Sequence, residues 1–414
     1  MPAVVLLALA LLLSGCADRE RRNPLDPGAR DPAGGQTRPL AAVAGDGRVD
    51  LSWDYSRYTD IVGYRVYRRT DPGEETFTAT ATLGPEASSY VDRQVDNGAT
   101  YAYRLALEVE GEEERLLEPV EWATPGPEVA WVADRLSGLV WKVATDARSA
   151  HFGRGRFASI EGLALDHGTG AVWVSDRYFA GLYRIDAEGK VTQHRGELGE
   201  PGPLAADPSG TPVWVTDGQT SQVKWFRAAD GGDSLNLEAV DASFSSIGGL
   251  APQAGGCWVS DPAEGRVLFY HPRGERFERP GLDRPGPLAA GADSTVWVLA
   301  SSGEVLLRLG RGPQVVSVSL GAARGVALDV DLATGEVWVL TADGAAVFDA
   351  LGAPRRQVSG LEQASDLALE SGGSTVWVAG QEYLWKLTLS GEPLARLGGF
   401  AGLLRVVVDP GAGA

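Results

Sequence analysis

The chain has 414 residues, two to three times the length of a typical domain, which predicts more than one folded unit. Apolar residues make up 44% of it, enough for sizeable cores. Its 37 basic and 55 acidic side chains leave a formal net charge of −18, which repels a phosphate backbone, so no nucleic-acid partner is expected. The two cysteines, Cys16 and Cys257, allow no disulfide framework unless they pair with each other.

The chain begins with an apolar segment that ends at a cysteine. Residues 3–13 are consecutive apolar residues, and a helix of that length would rise about 16 Å, about half of a bilayer's hydrocarbon core. The segment is therefore too short to span a membrane. It is typical of the apolar region of a signal peptide, which we predict over residues 1–15.

The four residues 13–16, Leu-Ser-Gly-Cys, resemble the lipobox of bacterial lipoproteins. The resemblance implies cleavage before Cys16, whose sulfur would carry a diacylglyceryl group and whose amine would be acylated. By the sorting rule of that family, Ala17 implies the outer membrane, so we predict a bacterial envelope location facing the periplasm or the exterior. The alternative is an uncleaved apolar tail with an incidental cysteine.

Residues 17–37 are charged, rich in Pro and Gly, and almost without apolar side chains. Such a segment cannot bury enough surface to fold, and its prolines favour extended geometry. We therefore predict a lipidated cysteine and a flexible tether over residues 16–37.

Short alternating segments replace the tether between residues 38 and 124, and about seven strands in that length predict a β-sandwich. Trp53, the strand-like run 63–68, and Tyr101 resemble the strand-B tryptophan, strand C and tyrosine corner of a fibronectin type III domain. The resemblance implies that the Tyr101 hydroxyl ties a loop to its strand. Modules of this kind usually serve as spacers or adhesive units.

One pattern repeats through residues 127–414. A Trp-Val pair recurs at intervals of 39 to 44 residues, at Trp131, Trp173, Trp214, Trp258, Trp297, Trp338 and Trp377. Most copies follow a short apolar segment, and each precedes another. Four short strands in roughly 41 residues are typical of one β-propeller blade.

The two ends of the repeat complement each other. The copy around Trp131 has no inner strand before it, and the inner strand 405–409 has no Trp-Val pair after it. We therefore predict that residues 403–409 complete the first blade. The predicted fold is all-β, a fibronectin type III-like sandwich followed by a seven-bladed β-propeller closed by the C-terminal strand. A six-bladed ring with one additional hairpin is the alternative.

The repeat resembles the NHL family and the related streptogramin-lyase and gluconolactonase-like propellers. The likeness rests on an apolar inner strand, a following aromatic-Val-x-Asp strand, and the run 183–189, Tyr-Arg-Ile-Asp-Ala-Glu-Gly. Enzymes of those families place metal ligands on the inner strands around the central channel. The resemblance thus implies a propeller fold and, as one possible activity, metal-dependent lyase or lactonase chemistry.

The sequence offers few groups for that chemistry. The residues just before the inner strands are predicted to be Glu161, Gly202, Gly248, Gly286, Arg324, Ser365 and Leu404. Within that ring only Glu161 is a metal-ligand type, and Glu161 with Arg324 is a candidate ligand-binding or ion pair at the channel mouth. Solvated charges are the simpler interpretation. Motifs of nucleophilic, zinc or phosphate chemistry do not occur, so we predict no catalytic residue, no metal site and no cofactor.

Other polar residues of the repeat are predicted to be structural. Asp closes four Trp-Val strands, at Asp134, Asp176, Asp217 and Asp261, where it normally accepts backbone N–H groups before a tight turn. Four histidines are predicted in outer strands or turns, at His151, His167, His194 and His271. Cys257 is predicted to be a buried, inert thiol of a core strand.

Two functions remain open from the sequence. The first is a lipid-anchored binding or scaffold protein of the cell envelope, whose propeller binds a protein, glycan or small ligand. The second is a metal-dependent lyase or lactonase-like enzyme with its site on the propeller axis. We favour the first, because the residues lack a metal-ligand set, and we expect a non-enzymatic protein.

Overall fold

The structure is a computed structural model that describes residues 38–409 apart from 57, 59, 72, 119, 127–128, 195–197, 228–234, 241–242, 322 and 371–374. The predicted signal peptide, Cys16 and the tether lie outside the described residues. The chain divides into two compact units. One holds Arg48–Thr124 with the described residues up to Ala42, and the other holds Val43–Gly47 with the residues from Pro125 onward. In the described ranges the regular structure is nearly all β, without an α-helix.

The described residues up to 124 form two antiparallel sheets. Their strands are β1 (Arg38–Gly45), β2 (Arg48–Asp54), β3 (Ile61–Asp71), β4 (Thr78–Leu83), β5 (Ser89–Asp92), β6 (Thr100–Val109), β7 (Arg115–Leu116) and β8 (Glu121–Ala123). The first sheet has the order β1-β2-β5, and the second has the order β4-β3-β6-β7 with β8 also paired to β6. Alternating apolar residues let each strand bury one face, which produces the predicted sandwich.

Trp53 and Tyr101 connect separate parts of the first unit. Trp53 in β2 is 3% exposed, and its ring centroid lies 5.5 Å from that of Tyr64 in β3 of the other sheet. The indole N–H of Trp53 donates to the carbonyl oxygen of Ala87 at 2.9 Å. The hydroxyl oxygen of Tyr101 in β6 accepts the backbone N–H of Asp96 at 2.9 Å. Trp53 is thus a core residue between the sheets, and Tyr101 ties the preceding loop to its strand.

The second unit contains seven four-stranded antiparallel sheets within the described residues, the blades of a β-propeller. Blade 1 begins with β9 (Val129–Asp134), β10 (Leu139–Val143) and β11 (Ala150–Arg154). Blade 2 is β12 (Ile160–Asp166), β13 (Ala171–Asp176), β14 (Gly181–Ile185) and β15 (Val191–His194). Blade 3 is β16 (Pro201–Ala206), β17 (Val213–Asp217), β18 (Gln222–Phe226) and β19 (Glu238–Ala239). Blade 4 is β20 (Gly249–Gln253), β21 (Gly256–Asp261), β22 (Arg266–Tyr270) and β23 (Arg276–Arg279).

The remaining blades follow the same order. Blade 5 is β24 (Leu288–Ala290), β25 (Val296–Ala300), a 3₁₀ turn (Ser301–Gly303), β26 (Val305–Leu309) and β27 (Val315–Ser319). Blade 6 is β28 (Gly325–Val330), β29 (Val337–Thr341), β30 (Gly344–Phe348) and β31 (Pro354–Ser359). Blade 7 is β32 (Ala364–Leu369), β33 (Thr375–Gly380), β34 (Tyr383–Thr388) and β35 (Pro393–Gly398). The last strand is β36 (Leu403–Asp409).

The C-terminal strand closes the ring. β36 pairs antiparallel with β9, with Val407 opposite Trp131, so that blade 1 has the order β11-β10-β9-β36. The inner strand of each blade contacts that of the next, from β12 through β32 to β36 and back to β12. The prediction of a seven-bladed propeller closed by residues 403–409 is therefore confirmed.

The repeated tryptophans fill the spaces between blades. All seven Trp-Val tryptophans are at most 1% exposed. Each belongs to a hydrophobic cluster with residues of the following blade, as Trp131 does with Leu163 and Val174 of blade 2, and Trp377 with Val406 of blade 1. A blade cannot cover its own faces, so the ring is the arrangement that buries these side chains.

Candidate functional site

Two cavities of the propeller are candidates for a ligand site. Because the strands of a blade alternate in direction, the beginning of each inner strand and the turn between the second and third strands lie on the same face. We call this the upper face; it carries the turns 135–138, 177–180 and 218–221. One cavity opens on the upper face, and the other follows the propeller axis.

The cavity on the upper face, called here the polar cavity, has a volume of about 290 Å³ and lies among blades 2, 3 and 4. Its lining combines charged side chains with hydroxyl groups, and includes Glu161, Arg177, Glu200, Thr216, Ser221 and Ser245. The apolar side chains of Pro203 and Ile247 complete its wall. The arrangement can donate hydrogen bonds to a polar ligand and also accept them.

The charges at this cavity form two ion pairs. Arg177 Nη2 lies 2.8 Å from Glu200 Oε2, and Arg135 Nη2 lies 3.6 Å from Glu161 Oε1. The Ser159 hydroxyl also donates to Glu161 at 3.0 Å. About half of the Arg177 and Glu200 side chains is exposed, at 54% and 45%. Exposed pairs of this kind contribute little to stability, so their polar groups can exchange partners with a ligand.

Four buried carboxylates shape the turns of the upper face: Asp134, Asp176, Asp217 and Asp261, each at most 1% exposed. Each accepts backbone N–H groups of its own turn and of the loop before its blade's inner strand. Asp176, for example, accepts the N–H of Tyr178 at 3.0 Å and that of Ala158 at 2.7 Å. The prediction that these residues are structural is confirmed.

The turn held by Asp176 presents two aromatic side chains to solvent. Tyr178 is 75% exposed and Phe179 is 51% exposed, and their ring centroids lie 5.1 Å apart at 83°. They follow Arg177, which lines the polar cavity. Arg177, Tyr178 and Phe179 were not predicted as site residues. Two adjacent aromatics in the turn after a strand-closing Asp were the signal available, since such a turn faces solvent.

Glu161 and Arg324, the predicted channel-mouth residues, lie in different places. Glu161 lines the polar cavity. Arg324 lines neither of the two cavities, and its Nη2 pairs with Glu304 Oε1 at 2.7 Å on the exposed surface. The described structure therefore gives the two residues separate partners, Arg135 for Glu161 and Glu304 for Arg324, and brings only Glu161 to a cavity.

Arg324 lies away from the cavities because of the register of the strands in blade 6. Gly325 lies opposite Thr341, as Ile160 lies opposite Asp176 in blade 2. The register shifts by one residue just after both positions, so the counterpart of Glu161 is Val326, not Arg324. The predicted alignment of blade 6 was wrong because its run Gly-Val-Ala-Leu-Asp resembles the Gly-Leu-Ala-Leu-Asp of blade 2 but lies two positions out of register with it.

The axial channel has a volume of about 640 Å³ and is lined by the inner strands of all seven blades. Ala, Leu, Pro and Val dominate its wall. The charged side chains among its lining residues are Asp329, Asp366 and Arg405. Arg405 Nη1 lies 3.4 Å from Asp366 Oδ1, which places the three charges on the side of blades 6, 7 and 1.

Asp329 occupies a position that is alanine in most blades. It lies opposite Trp338, as Ala164 lies opposite Trp173. Its carboxylate accepts the N–H of Leu369 in blade 7 at 2.9 Å. Burial raises the pKa of Asp329 to about 6, although its hydrogen bonds from the backbone oppose the shift. Asp329 was not predicted as a channel residue, because the run Gly-Val-Ala-Leu-Asp places it by similarity at the strand-end position of Asp166.

The histidines and the described cysteine lie where the sequence placed them. His151 and His194 are in the outermost strands β11 and β15, and His167 and His271 are in turns. His167 additionally lines the axial channel. Cys257 is fully buried, and burial raises the pKa of its thiol, which confirms a buried position.

Within the described ranges, no three His, Cys, Asp or Glu side chains are arranged to hold a metal ion. The same residues include no helix with the length and apolarity of a membrane span.

No protein-family model matches the chain. Among curated proteins, the amylopullulanase of Thermoanaerobacter thermohydrosulfuricus is 36% identical over 98 residues, which cover 23% of this chain. The chain matches only 6% of the length of that enzyme. This similarity is too partial to assign a family.

Solved structures share the propeller fold. A protein of unknown function from Desulfotomaculum acetoxidans superimposes with a TM-score of 0.58 and 14% identity, over 69% of this chain and 99% of its own. Virginiamycin B lyase from Staphylococcus aureus superimposes with a TM-score of 0.51 and 14% identity, over 60% of this chain and 87% of its own. At these identities the likeness shows the β-propeller fold and no activity.

Proposed function

We propose that the chain is a lipid-anchored binding protein of the bacterial cell envelope, and that its propeller presents the ligand site on the upper face. The observation that carries the proposal is the polar cavity together with the exposed aromatic pair Tyr178 and Phe179, which follows the lining residue Arg177 in the same turn. Exposed aromatic side chains next to convergent polar groups are typical of binding surfaces.

The anchor is proposed from residues 1–16, which the lipobox resemblance makes a signal peptide and a lipidated Cys16. Several acyl chains on one residue, at about 0.8 kcal/mol per buried CH₂, would hold the protein stably on a membrane. Ala17 supports the outer membrane. The unit that contains Trp53 and Tyr101 is proposed as a fibronectin type III-like module. The packing of Trp53 against the other sheet and the hydrogen bond of the Tyr101 hydroxyl to the preceding loop support this proposal.

The other predicted function, a metal-dependent lyase or lactonase, has less support. Its site would need a set of metal ligands on the propeller axis. The charged groups of the axial channel are Asp329, Asp366 and Arg405, and Arg405 already pairs with Asp366. Glu161, the remaining candidate, is paired with Arg135 in the polar cavity. The described residues therefore do not fit a metal on the axis.

Changing Cys16 to Ser tests the anchor. We expect the wild-type protein in the membrane fraction, labelled by a radioactive fatty acid, and the Cys16→Ser protein without label and no longer held by a lipid. Because a signal peptide that is not cleaved could also retain the protein, the N-terminal residue of both proteins is determined. Labelled Cys16→Ser protein, or unlabelled wild-type protein, would disprove lipidation.

Capture of an envelope component tests the binding site. The full-length protein is immobilised and exposed to detergent extracts of the envelope, and bound material is identified by mass spectrometry and sugar analysis. We expect one defined component that the Tyr178→Ala/Phe179→Ala protein loses and the Leu351→Ala protein keeps. Leu351, 76% exposed in the turn between β30 and β31, is the matched control because that turn lies on the opposite face. Equal capture by all three proteins would contradict a site on the upper face.

A further inference from the structure

Thr216 in the polar cavity departs from a repeated contact between blades. Ser175 and Ser260, each two residues after a Trp-Val tryptophan, donate from their hydroxyls to the carbonyl oxygens of Gly202 and Gly286 in the next blade, at 2.6 and 2.7 Å. Thr216 holds the same place after Trp214 in blade 3. The seam between blades 3 and 4 therefore has a hydroxyl of this type in position to make the same contact.

Thr216 does not make that contact. The residue is only 4% exposed, no hydrogen bond joins its hydroxyl to another of the described residues, and the hydroxyl oxygen itself is not fully enclosed. The side chain lines the polar cavity instead. A hydroxyl that belongs to a largely buried side chain, has no protein partner and is open to a cavity is available to a ligand.

The charges of the cavity favour an uncharged ligand. The carboxylates of Glu161 and Glu200 are matched by the guanidinium groups of Arg135 and Arg177, so the local charge is balanced. The net charge of −18 of the whole chain repels anions. A cation would have to compete with the arginines that already pair with both carboxylates.

The volume of the polar cavity and the aromatic surface near it restrict the chemical class of the ligand further. A volume of about 290 Å³ holds roughly ten water molecules at about 30 Å³ each, which is enough room for one hexose unit. The paired carboxylates and guanidiniums can bridge adjacent hydroxyl groups of a sugar ring. The exposed faces of Tyr178 and Phe179 suit the C–H faces of sugars, which are apolar and flat.

We propose that the polar cavity binds a neutral saccharide, with one sugar unit hydrogen-bonded to Thr216 and the flanking charge pairs, and the adjoining unit stacked on Tyr178 or Phe179. The inference rests on the proposed function, since it assumes that the upper face is a ligand site. It adds the chemical class of the ligand and the residue that contacts it inside the cavity.

The test uses the full-length protein in detergent on an array of neutral and charged oligosaccharides, followed by titration calorimetry with the best retained neutral oligosaccharide. We expect retention of neutral oligosaccharides and an affinity that falls about five- to tenfold in Thr216→Val, because one hydrogen bond to the ligand is lost while the side-chain volume is kept. Tyr178→Ala is expected to weaken binding at least as much. Thr341→Val, the same change in blade 6, and Leu351→Ala serve as controls that bind as the wild type does.

The outcomes separate the two proposals. Retention of charged oligosaccharides only, of none at all, or an unchanged affinity in Thr216→Val would overturn the saccharide inference. If the envelope capture still depends on Tyr178 and Phe179 in that case, the proposed binding function stands without it. If neither experiment shows dependence on these residues, both proposals fail.

Discussion

The carboxylate of Asp134 accepts the backbone N–H of Gly402 at 2.9 Å, across 268 residues of chain. It also accepts the N–H of Ala401 at 2.9 Å and that of Ser137 in its own turn at 3.2 Å. Next to these bonds, β36 pairs with β9. One buried side chain thus reinforces the place where the two ends of the propeller meet.

Asp134→Ala should weaken this closure. Three backbone N–H groups lose their acceptor at a buried position, so we expect the free energy of unfolding of the propeller to fall by about 2–4 kcal/mol. Urea unfolding followed by tryptophan fluorescence measures the change.

Asp349→Ala is the matched control for the closure. Asp349 also accepts backbone N–H groups, those of Leu351 at 2.9 Å and Ala353 at 2.8 Å, but within one exposed hairpin. Its removal should lower the free energy of unfolding much less than Asp134→Ala does, because water replaces the lost acceptor. Equal losses in the two proteins would show that Asp134 has no special role in ring closure.

The stability of the propeller should depend on pH through Asp329. Its pKa is about 6 in the folded protein against an ordinary 3.8, since burial favours the neutral acid and the nearby carboxylates of Asp366 and Asp331 act in the same direction. The contribution of this group to stability is therefore complete below pH 3.8 and is lost as the pH rises through about 6. Relative to Asp329→Asn, the wild type should lose on the order of 2 kcal/mol between pH 4.5 and 7.5.

Urea unfolding at four pH values across that range checks this expectation. Asp343→Asn, an exposed change in the same blade, should keep the pH profile of the wild type. Parallel profiles for the wild type and Asp329→Asn would refute the assignment of the titration to Asp329.

A buried ion pair of blade 7, next to blade 1, should be important for stability. Lys386 Nζ lies 3.1 Å from Glu370 Oε1, donates to the carbonyl oxygen of Thr145 in blade 1 at 2.8 Å, and lies 4.8 Å from the centroid of the Trp377 ring. The side chains of Lys386 and Glu370 are only 12% and 3% exposed. Lys386→Met would leave the carboxylate buried without its cation, and we expect a loss of about 3–5 kcal/mol.

Thermal and urea unfolding of Lys386→Met measure that loss. Arg324→Met removes an exposed pair with Glu304 and should cost at most about 1 kcal/mol. Adding Glu370→Gln to Lys386→Met should recover part of the stability, because the neutral amide still accepts the indole N–H of Trp377. No recovery in the double variant would indicate that packing, not charge, makes Lys386 important.

Much of the fold could be predicted because the same strand pattern recurs in the sequence of every blade. Seven Trp-Val pairs at nearly constant intervals indicated the blades, and the missing inner strand before Trp131 indicated which segment closes the ring. The structural role of the strand-closing Asp residues could also be predicted, since a short acidic side chain before a turn has one common role.

Less of the candidate site could be predicted. Glu161 was found, whereas Arg324 was assigned to the wrong position because the run Gly-Val-Ala-Leu-Asp of blade 6 lies two residues out of register with the similar run of blade 2.

The amino-acid order alone specified the ring, because repeated amphipathic strands bury their apolar faces only against copies of themselves. It did not specify the polar cavity. Glu161, Glu200, Thr216 and Ser245 stand on three blades and are far apart along the chain, and they meet only when the blades pack side by side. Whether the Thr216 hydroxyl bonds to the next blade or remains free depends on small shifts between neighbouring sheets, which packing decides and local sequence does not encode.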